Sequence, residues 1–452
     1  MKIIIAGAGE VGSHLAKMLS VESNDITVID SQSERLLSLG SNADVITVVG
    51  NPSSLSVLKE AGAETADLFI AVYPSDSQDV NIVSALLAKK LGSKKVTARI
   101  NNEEYLSYDH KYLFTEMGID LMFYPEKIAA DEILEMLGSR STVDGMDFAR
   151  GKLQMAAFKL EENSPVIDMT LKEFATHQDV VSQHFRVIAV SRNNETIIPK
   201  FDFKFRYHDL VYVISKREGI ESVMRFIGQE NHEIKSTMVM GGSHTGVMLA
   251  RGLHKKGQSV KIIEMDRDRC NTLVQSLPQD IMVINGDGRN SDLLMDEDIR
   301  NYDAFVALTE SSEANILACV VAKKLGVKKT IAKVENLEYI SLSEGMGVDA
   351  VINKKLITAS RIFKFTLSDK VRFVKYLNGT NAEVIEFIVA PNARITKGTL
   401  TELNFPGNAI IGGVIRGGDS FIAVGSTRIQ EYDRVVVFTM PETVKEVDRW
   451  FR

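Results

Sequence analysis

The chain has 452 residues, 44% hydrophobic and 25% charged, with a formal net charge of −7. That is the composition of an ordinary soluble globular protein with length for about three domains, and the acidic balance gives no electrostatic case for nucleic acid, which wants a basic face. Two cysteines, Cys270 and Cys319, supply neither a disulfide framework nor a multi-cysteine metal site, and free, half-buried thiols are expected.

Lys2 followed by an apolar run imitates a signal peptide, but Glu10, His14 and Lys17 interrupt it. No window of about 18 uninterrupted apolar residues is present to span a membrane, so a cytoplasmic chain is expected. Residues 3–6 read as a short buried strand that runs into a turn carrying Gly7, Gly9 and Gly12. Beyond it Val11, Leu15, Met18 and Leu19 fall on one face of a helix. Strand, G-x-G-x-x-G, helix is the context of a dinucleotide-binding fingerprint. Gly7 permits the tight turn, Gly9 lets a pyrophosphate approach the backbone, and Gly12 lets helix pack on strand. The helix N-terminus then faces the phosphates with free N–H groups and a positive dipole end.

A second strand, residues 26–29, ends in Asp30, which lies 18 residues beyond Gly12. That is near the spacing of about 20 expected for a carboxylate that accepts ribose hydroxyls, and it favours NAD(H) or an adenosine nucleotide over NADP. Strands follow at 45–49, 68–72, 96–100 and 121–124, with a helix over 79–91 capped by Gly92 and a closing helix over 128–137. Alternation of this kind predicts an α/β fold with a doubly wound parallel sheet. The pattern then changes to strands at 152–160, 187–190 and 210–214 and a helix over 219–227. This predicts a small α+β unit without a glycine loop or a cluster of catalytic residue types.

Near Lys235 the sequence starts again. GGSHTG at 241–246 overlays GAGEVG at an offset of 234, and Glu264 repeats Asp30 at the same offset. Gly50-Asn51 returns as Gly286-Asp287, Arg99 as Lys333, and Asn81 with AKKLG at 88–92 as Asn315 with AKKLG at 322–326. The small unit repeats too, with Arg192 to Asp209 and Arg416 to Asp433 spanning the same 17 steps. A fixed period of this kind decides the architecture. Four domains are predicted: Rossmann units at 1–137 and 234–365, and small units at 138–230 and 366–452.

The second glycine loop is degenerate, because Ser243 brings a Cβ to the position of Gly9, and His244 replaces Glu10. Hydride transfer would need a polarising His, Lys or Arg held beside the nicotinamide by a second domain. No such constellation, metal-ligand histidine pair or P-loop motif is found, so no catalytic or metal residues are assigned. The Lys323-Lys324 and Lys328-Lys329 pairs read as solvated helix-end charges. Two nucleotide sites without chemistry point to sensing, with an NAD-dependent oxidoreductase as the alternative.

These residues carry a resemblance. GAGEVG with Asp30, the Asn81 helix ending in AKKLG, ARINNxxY at 98–105, Gly118-Ile119-Asp120 and Pro125-Glu126 are together similar to the TrkA family. Its members are cytoplasmic nucleotide-binding regulators of Trk-type potassium uptake built from two RCK (KTN) units, and the likeness covers essentially the full length. It implies a homotetrameric ring beneath a membrane potassium transporter, with NAD(H), ATP or ADP in the Rossmann clefts. For the first site it implies Gly7, Ala8, Gly9, Glu10 and Val11 at the phosphates, with Gly12 completing the loop, Asp30 at the ribose, Asn51, Tyr73 and Pro74 lining the cleft, and Arg99 reaching towards the phosphates. For the second it implies Gly241, Gly242, Ser243, His244, Thr245, Glu264, Asp287, Thr309, Glu310 and Lys333. The chain departs from the family at Gly50-Asn51, where Gly-Asp is frequent, and at Tyr73-Pro74, where a Thr-rich segment is frequent.

Overall fold

The computed structural model describes residues 1–20, 24–138, 144–148, 151–177, 185–193, 195–228, 233–367, 371–377, 380 and 382–452. The predicted boundary at residue 230 lies outside them. Two compact units are formed, Met1–Ala129 with Lys354–Leu367 and Ala130–Asn353 with Ser368–Arg452.

In the first unit the strands are β1 (Lys2–Ala6), β2 (Asp25–Asp30), β3 (Ile46–Val49), β4 (Leu68–Ala71), β5 (Lys95–Arg99) and β6 (Leu121–Phe123). They make one sheet in the order β3-β2-β1-β4-β5-β6, and β1 pairs in parallel with both β2 and β4. Ile3, Ile4 and Ile5 are all buried, as a central strand covered on both faces requires. Helices α1 (Glu10–Ser20), α2 (Ser33–Gly40), α3 (Leu55–Glu60), α4 (Gln78–Leu91) and α5 (Tyr108–Glu116) complete the alternation, and α6 (Pro125–Gly138) starts here. The strand order reverses at β1, so a crevice opens at its carboxyl end.

The second unit holds two small antiparallel sheets. The first comprises β7 (Asp144–Phe148), β8 (Leu153–Lys159), β9 (Phe185–Arg192), β10 (Glu195–Ile197) and β11 (Leu210–Ser215), ordered β10-β9-β11-β8-β7, with helices α7 (Leu171–Thr176) and α8 (Arg217–Phe226). A second parallel sheet, β12 (Ser236–Met240), β13 (Ser259–Glu264), β14 (Met282–Asn285), β15 (Ala304–Ala307), β16 (Lys329–Lys333) and β17 (Ala350–Ile352), repeats the Rossmann order as β14-β13-β12-β15-β16-β17. Its helices are α9 (His244–Lys255), α10 (Arg267–Ser276), α11 (Ser291–Asp296), α12 (Ser312–Lys324) and α13 (Glu338–Gly345). The next helix, α14 (Lys354–Phe363), belongs to the first unit, where it packs on α1. The last sheet, β18 (Val371–Tyr376), β19 (Glu383–Ile388), β20 (Ala409–Arg416), β21 (Asp419–Ile422) and β22 (Arg434–Thr439), runs β18-β19-β22-β20-β21, the order of the first small sheet, and α15 (Val444–Trp450) ends the chain.

The two small sheets face each other. Leu153, Tyr212 and Ile214 of one share a core with Ile415, Val436 and Phe438 of the other. A Cβ at Gly412 would stand 3.0 Å from Ile214 Cγ2, and Arg186 donates to the Ala423 carbonyl at 2.5 Å. The 17-residue spans seen in sequence end in bidentate ion pairs: Arg192 to Asp209 at 2.7 Å for both bonds, Arg416 to Asp433 at 2.9 and 2.8 Å. Within this unit Leu134 of α6 lies over α9, filling the space a side chain at Gly252 would take.

Two expectations change. Lys324 and Lys328 are exposed, but Lys323, still part-exposed, bonds the Lys328 carbonyl at 2.8 Å and both Asp349 oxygens at 2.7 Å, and Lys329 is buried against the Met136 carbonyl. A loop carbonyl and a carboxylate beyond the helix end hold the Lys323 ammonium, and a carbonyl in the last turn of α6 takes that of Lys329. Cys270 and Cys319 are buried rather than half-buried. Among the described residues no helix is long and apolar enough to cross a membrane.

Candidate functional site

The first cleft is built on the loop between β1 and α1. Gly7 adopts φ +116, and a Cβ there would meet Tyr73 N and Val72 C at 2.9 Å. A Cβ at Gly12 would stand 1.8 Å from the Gly7 carbonyl oxygen, whereas a Cβ at Gly9 would have no heavy atom within 4 Å. Two of the glycines therefore serve packing, and the third leaves backbone exposed to open space. Ala8 and Val11 are buried beneath the loop. Glu10 is exposed in the first turn of α1 and pairs with Lys355 of α14 at 3.5 Å.

Asp30 closes β2 and is 1% exposed. Its Oδ2 accepts from Ala8 N at 2.6 Å and its Oδ1 from Gln32 N at 2.8 Å, so the carboxylate brackets the glycine loop to the start of α2. Tyr73, 9% exposed, leans across from the end of β4. Its phenol oxygen accepts from Ser31 N at 3.0 Å, and Cδ2 of its ring would lie 3.1 Å from a Cβ on Gly7. Burial, then the nearby Asp30 charge, pushes the phenol above its ordinary pKa. Asn81 of α4 fixes the main chain of Tyr73, accepting from its N–H at 2.8 Å and donating to its carbonyl at 3.2 Å.

The other predicted members of the first site have partners of their own or face solvent. Asn51 is exposed after β3 and caps Ser53 N at 2.9 Å, and Pro74 is exposed beside Tyr73. Arg99, at the end of β5, bonds Glu126 at 3.2 Å, which also pairs with Lys354 at 3.5 Å. Its guanidinium is thus engaged at the start of α6.

The second cleft repeats the plan. Gly241 adopts φ +102, and a Cβ on Gly246 would stand 2.4 Å from the Gly241 carbonyl oxygen. Glu264 takes the bracketing role of Asp30, accepting from Gly242 N at 2.7 Å and Asp266 N at 2.9 Å. Ser243 caps α9: its hydroxyl donates to the Leu308 carbonyl at 3.2 Å and accepts from Gly246 N at 3.4 Å. The Cβ expected to obstruct the loop thus carries a hydroxyl turned onto the protein's own main chain. His244 is exposed and Thr245 buried at the start of α9.

Asn315 holds Thr309 as Asn81 holds Tyr73, with bonds of 2.9 Å from Thr309 N and 3.0 Å to its carbonyl. Lys333 is buried and pairs with Glu310 at 3.3 Å and Glu335 at 3.7 Å. Gly241, Ser243, Glu264, Asp287, Thr309 and Glu310 line one cavity of about 410 Å³. Arg269 and Arg289, not singled out by the motif, line it too. Arg269 Nε donates to the Gly242 carbonyl at 2.8 Å, and Arg289 grips Asp287 at 2.7 Å, which holds that carboxyl below its ordinary pKa. The paired asparagines were visible as repeated residues, but nothing in the motif names their partners.

Comparison with known proteins agrees with the repeated domain order. The TrkA-N domain matches residues 3–125 and 237–354, and the TrkA-C domain matches 155–228 and 384–452. A Trk system potassium uptake protein TrkA homolog from Archaeoglobus fulgidus is 33% identical over 100% of both chains. The Trk system potassium uptake protein TrkA of Haemophilus influenzae is 32% identical over 100% of this chain and 99% of its own. Among solved structures, the GsuK RCK domain has a TM-score of 0.61 at 16% identity and covers 99% of this chain and 94% of that one. A GsuK channel bound to NAD has a TM-score of 0.60 at 17% identity, covering 100% and 78%. With both domain types matched twice and full-length relatives above 30% identity, the chain belongs to the TrkA family of Trk-system potassium uptake proteins.

Proposed function

We propose that this chain is a nucleotide-sensing regulatory subunit that gates a Trk-type membrane potassium transporter, and that it acts as a homotetrameric ring on the inner face of the cell membrane. Its Rossmann clefts take NAD(H) or ATP/ADP, and its output is a change of shape rather than a reaction. The observation that carries this reading is the duplicated cleft: a glycine loop bracketed by the carboxylate ending the second strand, with the turn after the fourth strand pinned by a buried asparagine. In the second copy the cleft is open, with acidic side chains for ribose hydroxyls and α9 pointing its N-terminus at the space where phosphates would sit. The names of its relatives supply the transport system, and the GsuK channel bound to NAD supplies a precedent for a nucleotide in this fold.

A ligand shifts a conformational equilibrium only by its differential affinity for the two states. Calorimetric titration of the full chain with NADH and with ATP tests the input. At about 100-fold excess over Kd, binding should stabilise the fold by about 2.7 kcal/mol, seen as a higher melting temperature. No heat and no thermal shift with either nucleotide would sink the reading. Complementation of potassium uptake in a strain lacking its own regulator tests the output, and substrate-dependent NADH turnover would instead mark an oxidoreductase.

A further inference from the structure

The two clefts are built alike but filled differently. Tyr73 and Thr309 occupy the same place, one residue past the first position after strands β4 and β15, and each is held by a buried asparagine. In the first cleft the Tyr73 ring crosses from β4 to Ser31, beyond β2, and stands near the buried Asp30. In the second, Thr309 turns its hydroxyl back onto Asn315 at 2.7 Å. The space between glycine loop and second strand there is a cavity of about 410 Å³, with Glu264 half-buried at its wall and Met265 where Ser31 stands in the first.

We propose that Tyr73 is a gate on the first cleft. Its side chain occupies the volume a nucleoside needs beside Asp30, so the second cleft fills first and the first accepts an adenine nucleotide only when Tyr73 swings out. This rests on the nucleotide reading above. The main chain of Tyr73 is fixed through both its N–H and its carbonyl by Asn81, so opening is a side-chain rotation rather than a loop movement. What opening breaks is small: one neutral hydrogen bond, from Ser31 N to the phenol oxygen, and the contacts of one ring. A closed site of that kind lowers the apparent affinity by the fraction of open form. Swinging out also opens the space beside Asp30, which places an acceptor at the ribose only in the open state.

The test is the stoichiometry of ATP and of NADH per full-length chain, measured by calorimetry on three variants. The wild type is expected to bind one tight equivalent and a second more weakly. Tyr73→Thr, which copies the second cleft, should give two tight equivalents, with the first cleft gaining about 10- to 100-fold, as for an open form of about 1–10%. Thr309→Tyr, which copies the gate, should remove the tight equivalent. Tyr73→Phe loses only the bond to Ser31 and should gain several-fold, which keeps the proposal testable if Tyr73→Thr melts without cooperativity. Two equal tight equivalents in the wild type, or unchanged affinities in both Tyr73 variants, would overturn the gate alone. No binding by any variant that still melts cooperatively would overturn the gate and the nucleotide reading together.

Discussion

A methyl group at Gly12 would stand 1.8 Å from the Gly7 carbonyl oxygen, a backbone atom that cannot rotate away. Three residues earlier, Gly9 faces open space. Gly12→Ala should therefore force α1 off β1 and cost about 3 kcal/mol despite the better helix propensity of alanine, while Gly9→Ala should stay within about 0.5 kcal/mol of the wild type. Urea unfolding of the two variants checks this, and equal midpoints would show that the loop yields at Gly12. The G-x-G-x-x-G spacing made these glycines legible, since the constraint is local to one turn. Tyr73 was legible only as a departure from the family, because where a side chain lies across a cleft is decided by atoms distant in sequence: Gly7, Ser31 and Asn81.

At the scale of elements, the central strands of the first parallel sheet could be read from apolar runs because they are buried on both faces, whereas the edge strand β3, with Ile46 and Val49 exposed, was legible from its apolar run and the Gly50-Asn51-Pro52 turn that closes it. Which surface covers a helix is not written that way. The apolar face of α1 marks it as packed, yet its cover includes α14, more than 300 residues downstream. That contact has a titratable group in it. His14 is largely buried, and its Nε2 has no hydrogen-bond partner among the described residues. Burial first, then the charges of Lys355 on α14 and Lys17 on α1, holds its pKa below the ordinary 6.5. Across the same contact Glu10 pairs with Lys355, while the neighbouring Lys354 of α14 pairs with Glu126 on α6. The folded state thus keeps His14 neutral where the unfolded chain takes up a proton. The His14 contribution is full above pH 6.5 and is lost as pH falls below it, at no more than about 1.4 kcal/mol per pH unit. Urea midpoints at pH 7.5 and 5.5 should differ more for the wild type than for His14→Leu. An equal difference would place the acid sensitivity elsewhere.

For the whole molecule the internal repeat has one further consequence. Val83 on α4 is 44% exposed and Leu317 on α12 is 53% exposed, and the two positions are related by the same offset of 234 as the glycine loops. Tyr112 on α5, 62% exposed, and Met346, directly after α13 and 42% exposed, are related in the same way. Scattered surface apolar residues need no explanation, but apolar residues that recur at matched positions of a duplicated fold mark a surface used twice. Closed symmetric assembly is the usual way to cover such a surface, and a chain carrying it on both Rossmann halves can offer it to neighbours through either. The proposed ring would then be built through α4–α5 and α12–α13. Val83→Asp combined with Leu317→Asp should leave the fold intact, since exposed substitutions cost little. In an interface each unpaired carboxylate would cost about 3 kcal/mol or more. Light scattering on the eluting peak at micromolar concentration should therefore show the wild type as an oligomer and the double variant as a smaller species with an unchanged melting transition. An unchanged mass would remove these helices from the interface, and a monomeric wild type would remove the ring itself.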